Sequence, residues 1–184
     1  MSVLVYINSA HGIGKNAFET VTYGKKLGDV TVVTNGNVDD ASLAKLGEYG
    51  ASKVLVDKAL VDADDQQLTR LIANAADQVG ANTIVFSHDH VAKNIAPRLS
   101  VRLKAGLVSG AIALPDADGT IKVNVFSGKA FGSVKVNSAK KIISLLPNSI
   151  QPESVGGSAA IEAFAGNAGD AKVKVVSTKQ PEGD

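Results

Sequence analysis

Residues 83–113 read TIVFSHDHVAKNIAPRLSVRLKAGLVSGAIA, and this stretch decides the fold. The apolar run 84–86 predicts a strand that ends at the polar loop 87–90. Apolar residues then recur every four positions, which predicts a helix over 90–104, and a second strand is predicted over 107–114. A strand-helix-strand unit of this kind builds a right-handed crossover onto a parallel sheet. The polar loop would lie at the carboxyl end of the first strand, where open α/β sheets bind ligands.

The residues before this stretch show the same alternation of strand and helix. Strands are predicted over 3–7, 30–34 and 54–56. A first helix is predicted over 15–27. A second is predicted to begin at the capping residue 39 or 40 and to end at 49. A third is predicted to begin at the acidic residues 62–65 and to end at about 79. Strict alternation favours a parallel sheet with helices on both sides.

After Gly106 the pattern changes to four strand-like runs, 107–114, 121–126, 131–136 and 141–146. The turns at 116–119 and 127–129 have hairpin chemistry, so these runs predict antiparallel ribbons at the sheet edge. The predicted fold is therefore a three-layer α/β/α domain whose mostly parallel sheet is extended by antiparallel strands. Beyond Pro147 the chain is expected to be loose, with one more short strand over 172–177 and a tail at 181–184.

Composition excludes several classes of protein. Among 184 residues, 19 are Lys or Arg and 18 are Asp or Glu, so no strong field attracts nucleic acid or an anionic membrane. Cysteine is absent, and aromatic residues make up only 4%, too few for a platform that stacks single-stranded nucleic acid. The apolar start MSVLVYIN is interpreted as a strand and not a signal peptide, and no run can span a bilayer. We expect a cytoplasmic bacterial protein that is not membrane-embedded.

Two loops carry polar residues that could bind a ligand. The glycines in 11–15, HGIGK, do not have the spacing of a phosphate loop, so a simple turn is favoured. A weak candidate ligand loop, which could bind a partner or a nucleotide, consists of Ser87, His88 and His90, with His11 on a neighbouring loop. Ser87 or Asp89 is predicted to cap the helix that follows. The ligand set is too sparse to predict a metal site, and no nucleophile with a His and Asp arrangement predicts catalysis.

The helix over 90–104 carries candidate interface or structural residues. Lys93, Pro97, Arg98 and Arg102 belong to a basic later part of the chain, whereas the early part is acidic, and this asymmetry could orient the protein against a charged partner. Arg98 follows a proline inside a helix, an unusual pairing. It is predicted to anchor a carboxylate or backbone carbonyls through its fork of donors.

Three segments together resemble the electron transfer flavoprotein alpha subunit, in its amino-terminal domain. The helix residues 93–103, KNIAPRLSVRL, are similar to the family's run GK(N/D)LLPR(V)AA(K/R)L. The turn residues 126–130, FSGKA, are similar to the family's turn (Y)AGNA. Residues 156–163, GGSAAIEA, are similar to the family's stretch GG(S)A(A)(I/V)E. The resemblance implies an adenine-nucleotide-hydrolase-like fold over residues 1–165. It also implies that 166–184 form a flexible linker toward an FAD domain missing from this chain, and it adds Gly128 to the interface or structural candidates.

The resemblance further implies an electron carrier subunit and not an enzyme. Such a subunit pairs with a beta subunit and carries electrons from dehydrogenases, as in fatty acid oxidation, to an acceptor oxidoreductase. FAD is then expected in the full-length heterodimer, AMP in the beta subunit, and no cofactor on this segment. Two alternatives stay open. One is a stand-alone adenine-nucleotide-binding module similar to universal stress proteins, although Gly106, Gly110 and Gly119 do not reproduce their phosphate loop; the other is a small-molecule enzyme using His88 and His90.

Overall fold

A computed structural model of the chain describes residues 1–10 and 12–179. The strands are β1 (Ser2–Tyr6), β2 (Asp29–Asn35), β3 (Ala51–Asp57), β4 (Thr83–Ser87), β5 (Gly106–Ala111), β6 (Thr120–Val125), β7 (Ala130–Lys135), β8 (Lys141–Leu145) and β9 (Ala160–Ala163). The α-helices are α1 (Lys15–Leu27), α2 (Asp40–Ala44), α3 (Asp65–Val79) and α4 (His90–Leu103), and 3₁₀ helices cover Lys45–Tyr49 and Phe126–Gly128. No helix in the described ranges has the length and apolar character that a bilayer span requires.

All nine strands form one sheet in the order β7-β6-β5-β8-β4-β1-β2-β3-β9. From β5 to β9 every neighbouring pair is parallel, whereas β6 pairs antiparallel with both β5 and β7. The predicted three-layer α/β/α class, with a mostly parallel sheet extended by antiparallel strands, is therefore confirmed.

The central strand β1 is buried on both faces, as expected for a parallel strand covered by two helical layers. Val3 and Val5 join the core formed with α1 and α2, while Leu4 and Tyr6 join the core formed with α3 and α4. The helix α1 approaches the sheet closely at Gly24, where an added Cβ would lie 2.8 Å from a Val5 methyl group. Small residues thus set the distance between helix and sheet.

The prediction that all four runs after Gly106 form antiparallel edge ribbons is wrong for β8, and in part for β5, which pairs parallel with β8 on one side. Strand β8 lies inside the sheet and pairs parallel with both β4 and β5. Its run Ile142–Leu145 is buried throughout, and a continuous buried apolar run is typical of a central parallel strand. Only β6 and β7 extend the sheet as an antiparallel hairpin beyond β5.

The prediction of a loose chain beyond Pro147 is also wrong, because this region contains β9. The strand pairs parallel with β3, and Phe164, which follows it, donates its backbone N–H to the carbonyl of Val56 at 2.9 Å. The Phe164 side chain is 7% exposed and belongs to the core on the α3 and α4 side. Residues 172–177 are exposed and form no strand. The predicted tail at 181–184 lies outside the described residues.

Residues 166–173 run along α3, and we name this segment the strap. Polar side chains hold the strap by hydrogen bonds to its backbone. At its start, Asp57 accepts the N–H of Gly166 and Asn74 donates to the Gly166 carbonyl. Further along, Gln67 donates to the carbonyl of Gly169 at 2.8 Å, Arg70 donates to the carbonyls of Ala168 and Asp170, and Asp64 accepts the N–H groups of Lys172 and Val173. The boundary predicted at residue 165 adjoins the start of this segment, and it stays a prediction.

Candidate functional site

The carboxyl ends of β1, β2 and β3 meet at one edge of the sheet and form a polar rim. The Thr34 hydroxyl donates to the carbonyl of Ile7 at 2.8 Å, and the Ser9 hydroxyl donates to the carbonyl of Asn35 at 2.9 Å. Asn35 in turn donates from Nδ2 to the carbonyl of Leu60 at 3.0 Å. These bonds fix the loops after β1, β2 and β3 relative to one another.

A cleft of about 420 Å³ opens between the loop after β1 and the loop after β4. The connections from these two neighbouring strands run in opposite directions along the sheet, so the cleft lies at the topological switch point, where α/β sheets bind ligands. Its polar wall includes Asn8, Lys15, Ser87, Asp89 and His90. The cleft therefore has the position and the size of a small-molecule site.

The buried hydroxyl of Tyr6 lies at the base of this edge. Its Oη atom is 3.4 Å from Oδ1 of Asn35, and burial, together with the negative charge of Asp89, raises the pKa of Tyr6. The phenol thus stays protonated and acts as a hydrogen-bond donor. The glycine loop on the other side forms a turn, because Gly12 has a φ of +84° and donates to the carbonyl of Ser9 at 3.0 Å.

The structure separates the two histidines of the candidate ligand loop. His90 is exposed at the cleft, whereas Nδ1 of His88 lies 2.9 Å from the Oγ atom of Ser144 on β8. Burial, with a smaller effect from the positive charge of Lys93, lowers the pKa of His88. His11 lies outside the described residues. Within residues 1–10 and 12–179, no group of three or more His, Asp or Glu side chains could hold a metal ion.

Ser144 is a polar centre that the sequence patterns did not reveal. It is 2% exposed, and its Oγ also accepts the N–H of Gly110 at 3.2 Å. Gly110 has a φ of +73° and stands at a register shift between β5 and β8. A serine in the middle of an apolar strand gives no periodic signal, so only the fold shows that it bridges two strands and His88.

The candidates on α4 lie on its exposed side. Asp89 caps the helix, as one of the two predicted alternatives, by accepting the N–H of Ala92 at 2.8 Å. Lys93, Pro97, Arg98 and Arg102 are all exposed. Water can therefore reach the carbonyl of Lys93, which proline leaves without its helical partner. The guanidinium groups of Arg98 and Arg102 make no hydrogen bond or ion pair with the described part of the chain, so the anchoring role of Arg98 and the interface or structural role of Arg102 stay predictions.

Gly128 lies at the tip of the β6–β7 hairpin. It has a φ of +85° and no heavy atom within 4 Å of an added Cβ, so the backbone conformation and not crowding favours glycine there. Phe126 and Phe131 flank the tip and are 79% and 62% exposed. Phe126 also has a φ of +51°, a strained conformation for a bulky residue, and such strain is concentrated at functional sites. The ammonium of Lys122 covers the Phe131 ring at 4.3 Å.

The fold and the cleft define an α/β domain of the kind that places ligands at the carboxyl edge of a parallel sheet. The chain belongs to the electron transfer flavoprotein domain family, whose model matches residues 3–180. This match covers the segments 93–103, 126–130 and 156–163 on which the resemblance was based, and it confirms the resemblance.

Three curated relatives are each named electron transfer flavoprotein subunit alpha. The protein of Bacillus subtilis (strain 168) is 28% identical over 73% of this chain and 43% of its own length. That of Paracoccus denitrificans is 32% identical over 74% of this chain and 44% of its own length. The Syntrophomonas wolfei protein is 25% identical over 85% and 51%. The chain thus spans about half the length of the curated relatives it matches. These comparisons favour the flavoprotein family over the stand-alone nucleotide-binding module.

Proposed function

We propose that this chain provides the amino-terminal domain of an electron transfer flavoprotein alpha subunit and pairs with a beta subunit. The observation that carries the proposal is the match of residues 3–180 to the family model, because it covers nearly every element of the sheet and both helical layers. The alpha-subunit names of the relatives support a second, different subunit as the partner. In this function the chain is a scaffold for association and not itself an enzyme.

The cofactors follow from the same proposal. FAD is expected in the full-length heterodimer, AMP in the beta subunit, and no cofactor on this chain alone. The relatives are named flavoproteins, and the chain spans about half their length, which leaves room for the flavin contacts outside this segment. The complex would carry electrons from dehydrogenases to an acceptor oxidoreductase, in the cytoplasm of a bacterium.

The β6–β7 hairpin is the surface that we propose for contact with the beta subunit. Phe126 and Phe131 present exposed rings on the same hairpin, and large exposed aromatic side chains mark protein contact sites. The strain at Phe126 would be compensated by contacts that only the complex provides. Lys93 and Pro97, exposed on α4, remain interface candidates on a second surface.

Co-expression with a beta subunit tests the pairing. We expect a stable complex in size-exclusion chromatography, and we expect Phe126→Ser combined with Phe131→Ser to weaken it at least tenfold, about 1.4 kcal/mol. Val61→Ser, which removes an apolar side chain exposed to 51% elsewhere, is the matched control and should pair normally. A chain that remains monomeric beside the beta subunit would contradict the pairing; a complex insensitive to both phenylalanines would move the contact away from the hairpin.

An absorbance titration with FAD tests the cofactor assignment separately. Residues 1–184 alone should stay colourless after gel filtration. A yellow, reducible, stoichiometric complex formed by this chain alone would show that the flavin contacts lie within it. Reduction of the full heterodimer by a dehydrogenase, followed at the flavin absorbance, tests the carrier role.

A further inference from the structure

All three arginines of the chain line a single concavity. The sequence contains 19 basic residues, of which only Arg70, Arg98 and Arg102 are arginines. Together with Gln66 and Thr69 they surround a concavity of about 280 Å³ between α3 and α4. The lysines, by contrast, are spread over the whole surface. The consecutive helices α3 and α4 thus bring every guanidinium group of the protein to one place.

One of the three guanidinium groups is held in a fixed orientation. Arg70 donates from Nε to the carbonyl of Ala168 and from Nη2 to the carbonyl of Asp170 at 3.1 Å. These bonds use only part of the five N–H donors that arginine carries, so the remaining donors are available to a ligand. Arg98 and Arg102 lie one turn apart on α4, on the side of the concavity opposite Arg70.

The positive charge of this concavity is not compensated within residues 1–10 and 12–179. Every ion pair in these ranges is made by a lysine, and none is made by an arginine. Asp170 approaches Arg70 with its backbone carbonyl, and Asp64, at the start of α3, bonds the strap. Like charges one turn apart on a helix repel each other, so Arg98 and Arg102 weaken α4 unless an anion lies between them and Arg70.

We propose that the three arginines form a binding site for a phosphoryl group, carried by inorganic phosphate or by a small phosphate monoester. Arginine presents planar, forked donors that match the oxygens of phosphate, whereas lysine is a point charge. A phosphate monoester carries close to two negative charges at neutral pH, which suits three cations better than a single carboxylate does. The concavity also has space for a small organic group beside the phosphoryl oxygens.

The three arginines permit a direct spectroscopic test. A ¹⁵N-labelled 184-residue chain should give three arginine Nε–Hε signals, which the single variants R70K, R98K and R102K assign one by one. At constant ionic strength, inorganic phosphate is expected to shift all three signals along one saturable curve. Shifts that grow linearly without saturation, or that affect one signal only, would overturn the proposal.

Matched variants separate a built site from general attraction. The double variant R98K/R102K keeps both positive charges but removes the forked guanidinium donors, and it should raise the Kd for phosphate about tenfold. The control variant K129Q removes one exposed positive charge far from the site and should leave this Kd unchanged. Equal effects of the two would contradict the proposal. Glycerol 3-phosphate distinguishes the sources: binding tighter than that of phosphate indicates a monoester, equal or weaker binding indicates the free ion. Tighter binding of glutarate than of either would overturn the assignment to a phosphoryl group.

Discussion

The Nδ1 atom of His88 lies 2.9 Å from the Oγ atom of Ser144, which joins the loop after β4 to the middle of the sheet. The same oxygen accepts the backbone N–H of Gly110 at 3.2 Å. A single buried hydroxyl on β8 therefore contacts both β5 and the loop after β4, close to the place where the parallel part of the sheet gives way to the antiparallel hairpin.

Replacing Ser144 by alanine is expected to lower the free energy of unfolding by about 1–3 kcal/mol. The substitution leaves the buried N–H of Gly110 without an acceptor and the His88 ring without its partner. Urea denaturation followed by circular dichroism measures the change. Ser133→Ala, on the exposed side of β7, is the control and should have almost no effect. Equal stabilities of the two variants would show that the Ser144 contact contributes nothing.

The pH dependence of stability should report the burial of His88. Its pKa is lowered from 6.5 in the folded protein, so the unfolded chain binds more protons below about pH 6.5 and the stability contribution is lost as pH falls from there toward the lowered pKa. We expect His88→Asn to make the loss of stability from about pH 7 to about pH 5.5 shallower. Thermal unfolding at several pH values measures the slope. The exposed His90, replaced by asparagine, is the control, and a wild-type slope in His88→Asn would refute the prediction.

Gly47 in the first 3₁₀ helix allows the chain before β9 to pass close by. An added Cβ would lie 2.1 Å from the backbone N of Ala159 and 2.3 Å from the carbonyl carbon of Ser158. Gly47→Ala should therefore displace β9 and cost about 1–3 kcal/mol. Gly14→Ala meets nothing within 4 Å and should cost well under that. Hydrogen exchange at the β9 amides measures the local effect, and unchanged protection in Gly47→Ala would contradict this packing.

Phe164 distinguishes a packed carboxyl-terminal region from a loose one. Its side chain is 7% exposed in the core beside α3 and α4, so Phe164→Ala should lower the free energy of unfolding by about 3–5 kcal/mol. Val176 is 92% exposed, and Val176→Ala should leave stability unchanged. Guanidinium denaturation of both variants provides the comparison. If the phenylalanine variant were as stable as the valine variant, the segment after β9 would not be packed in solution.

Asp64 links the start of α3 to the strap. Its carboxylate accepts the N–H of Gln67 at 2.8 Å as a helix cap and also bonds the N–H groups of Lys172 and Val173. These bonds lower the pKa of Asp64, so its contribution is complete above pH 3.8 and is lost as pH falls through the lowered value. Asp64→Ala should cost about 1 kcal/mol and speed amide exchange at both strap residues. Asp65→Ala is the control, and equal exchange rates would disprove the link.

The layers of the fold could be predicted from the sequence, because buried parallel strands and amphipathic helices leave strong periodic signals. The strand that starts at Thr83 and the helix that follows it were of this kind. The position of β8 could not be predicted, since a short buried run looks the same whether it lies inside a sheet or beside a hairpin. The strand β9 leaves no such signal, because AIEA is short and lies among glycines, and its pairing with β3 depends on contacts far away in sequence.

The site was predictable in position but not in detail. The loop at Ser87 was expected at the carboxyl edge of the sheet, and the structure places it there beside the cleft. The separation of His88 from His90 depends on Ser144, more than fifty residues away, which no local pattern encodes. In the same way, the meeting of Arg70 with Arg98 requires α3 and α4 to pack side by side, and spacing along either helix cannot reveal it.

Polar side chains of β3 and α3 bind the strap through its peptide groups, which every residue type except proline offers in full. Related chains could therefore exchange exposed residues of the strap such as Asp170 and Lys172. Gly166 and Ala168 must stay small, because an added Cβ at Gly166 would lie 2.2 Å from a methyl carbon of Leu71 and the Ala168 side chain is buried. Sequence divergence in this stretch would then be a poor measure of structural divergence, and a proline at Gly166, Lys172 or Val173 would be the change that selection resists.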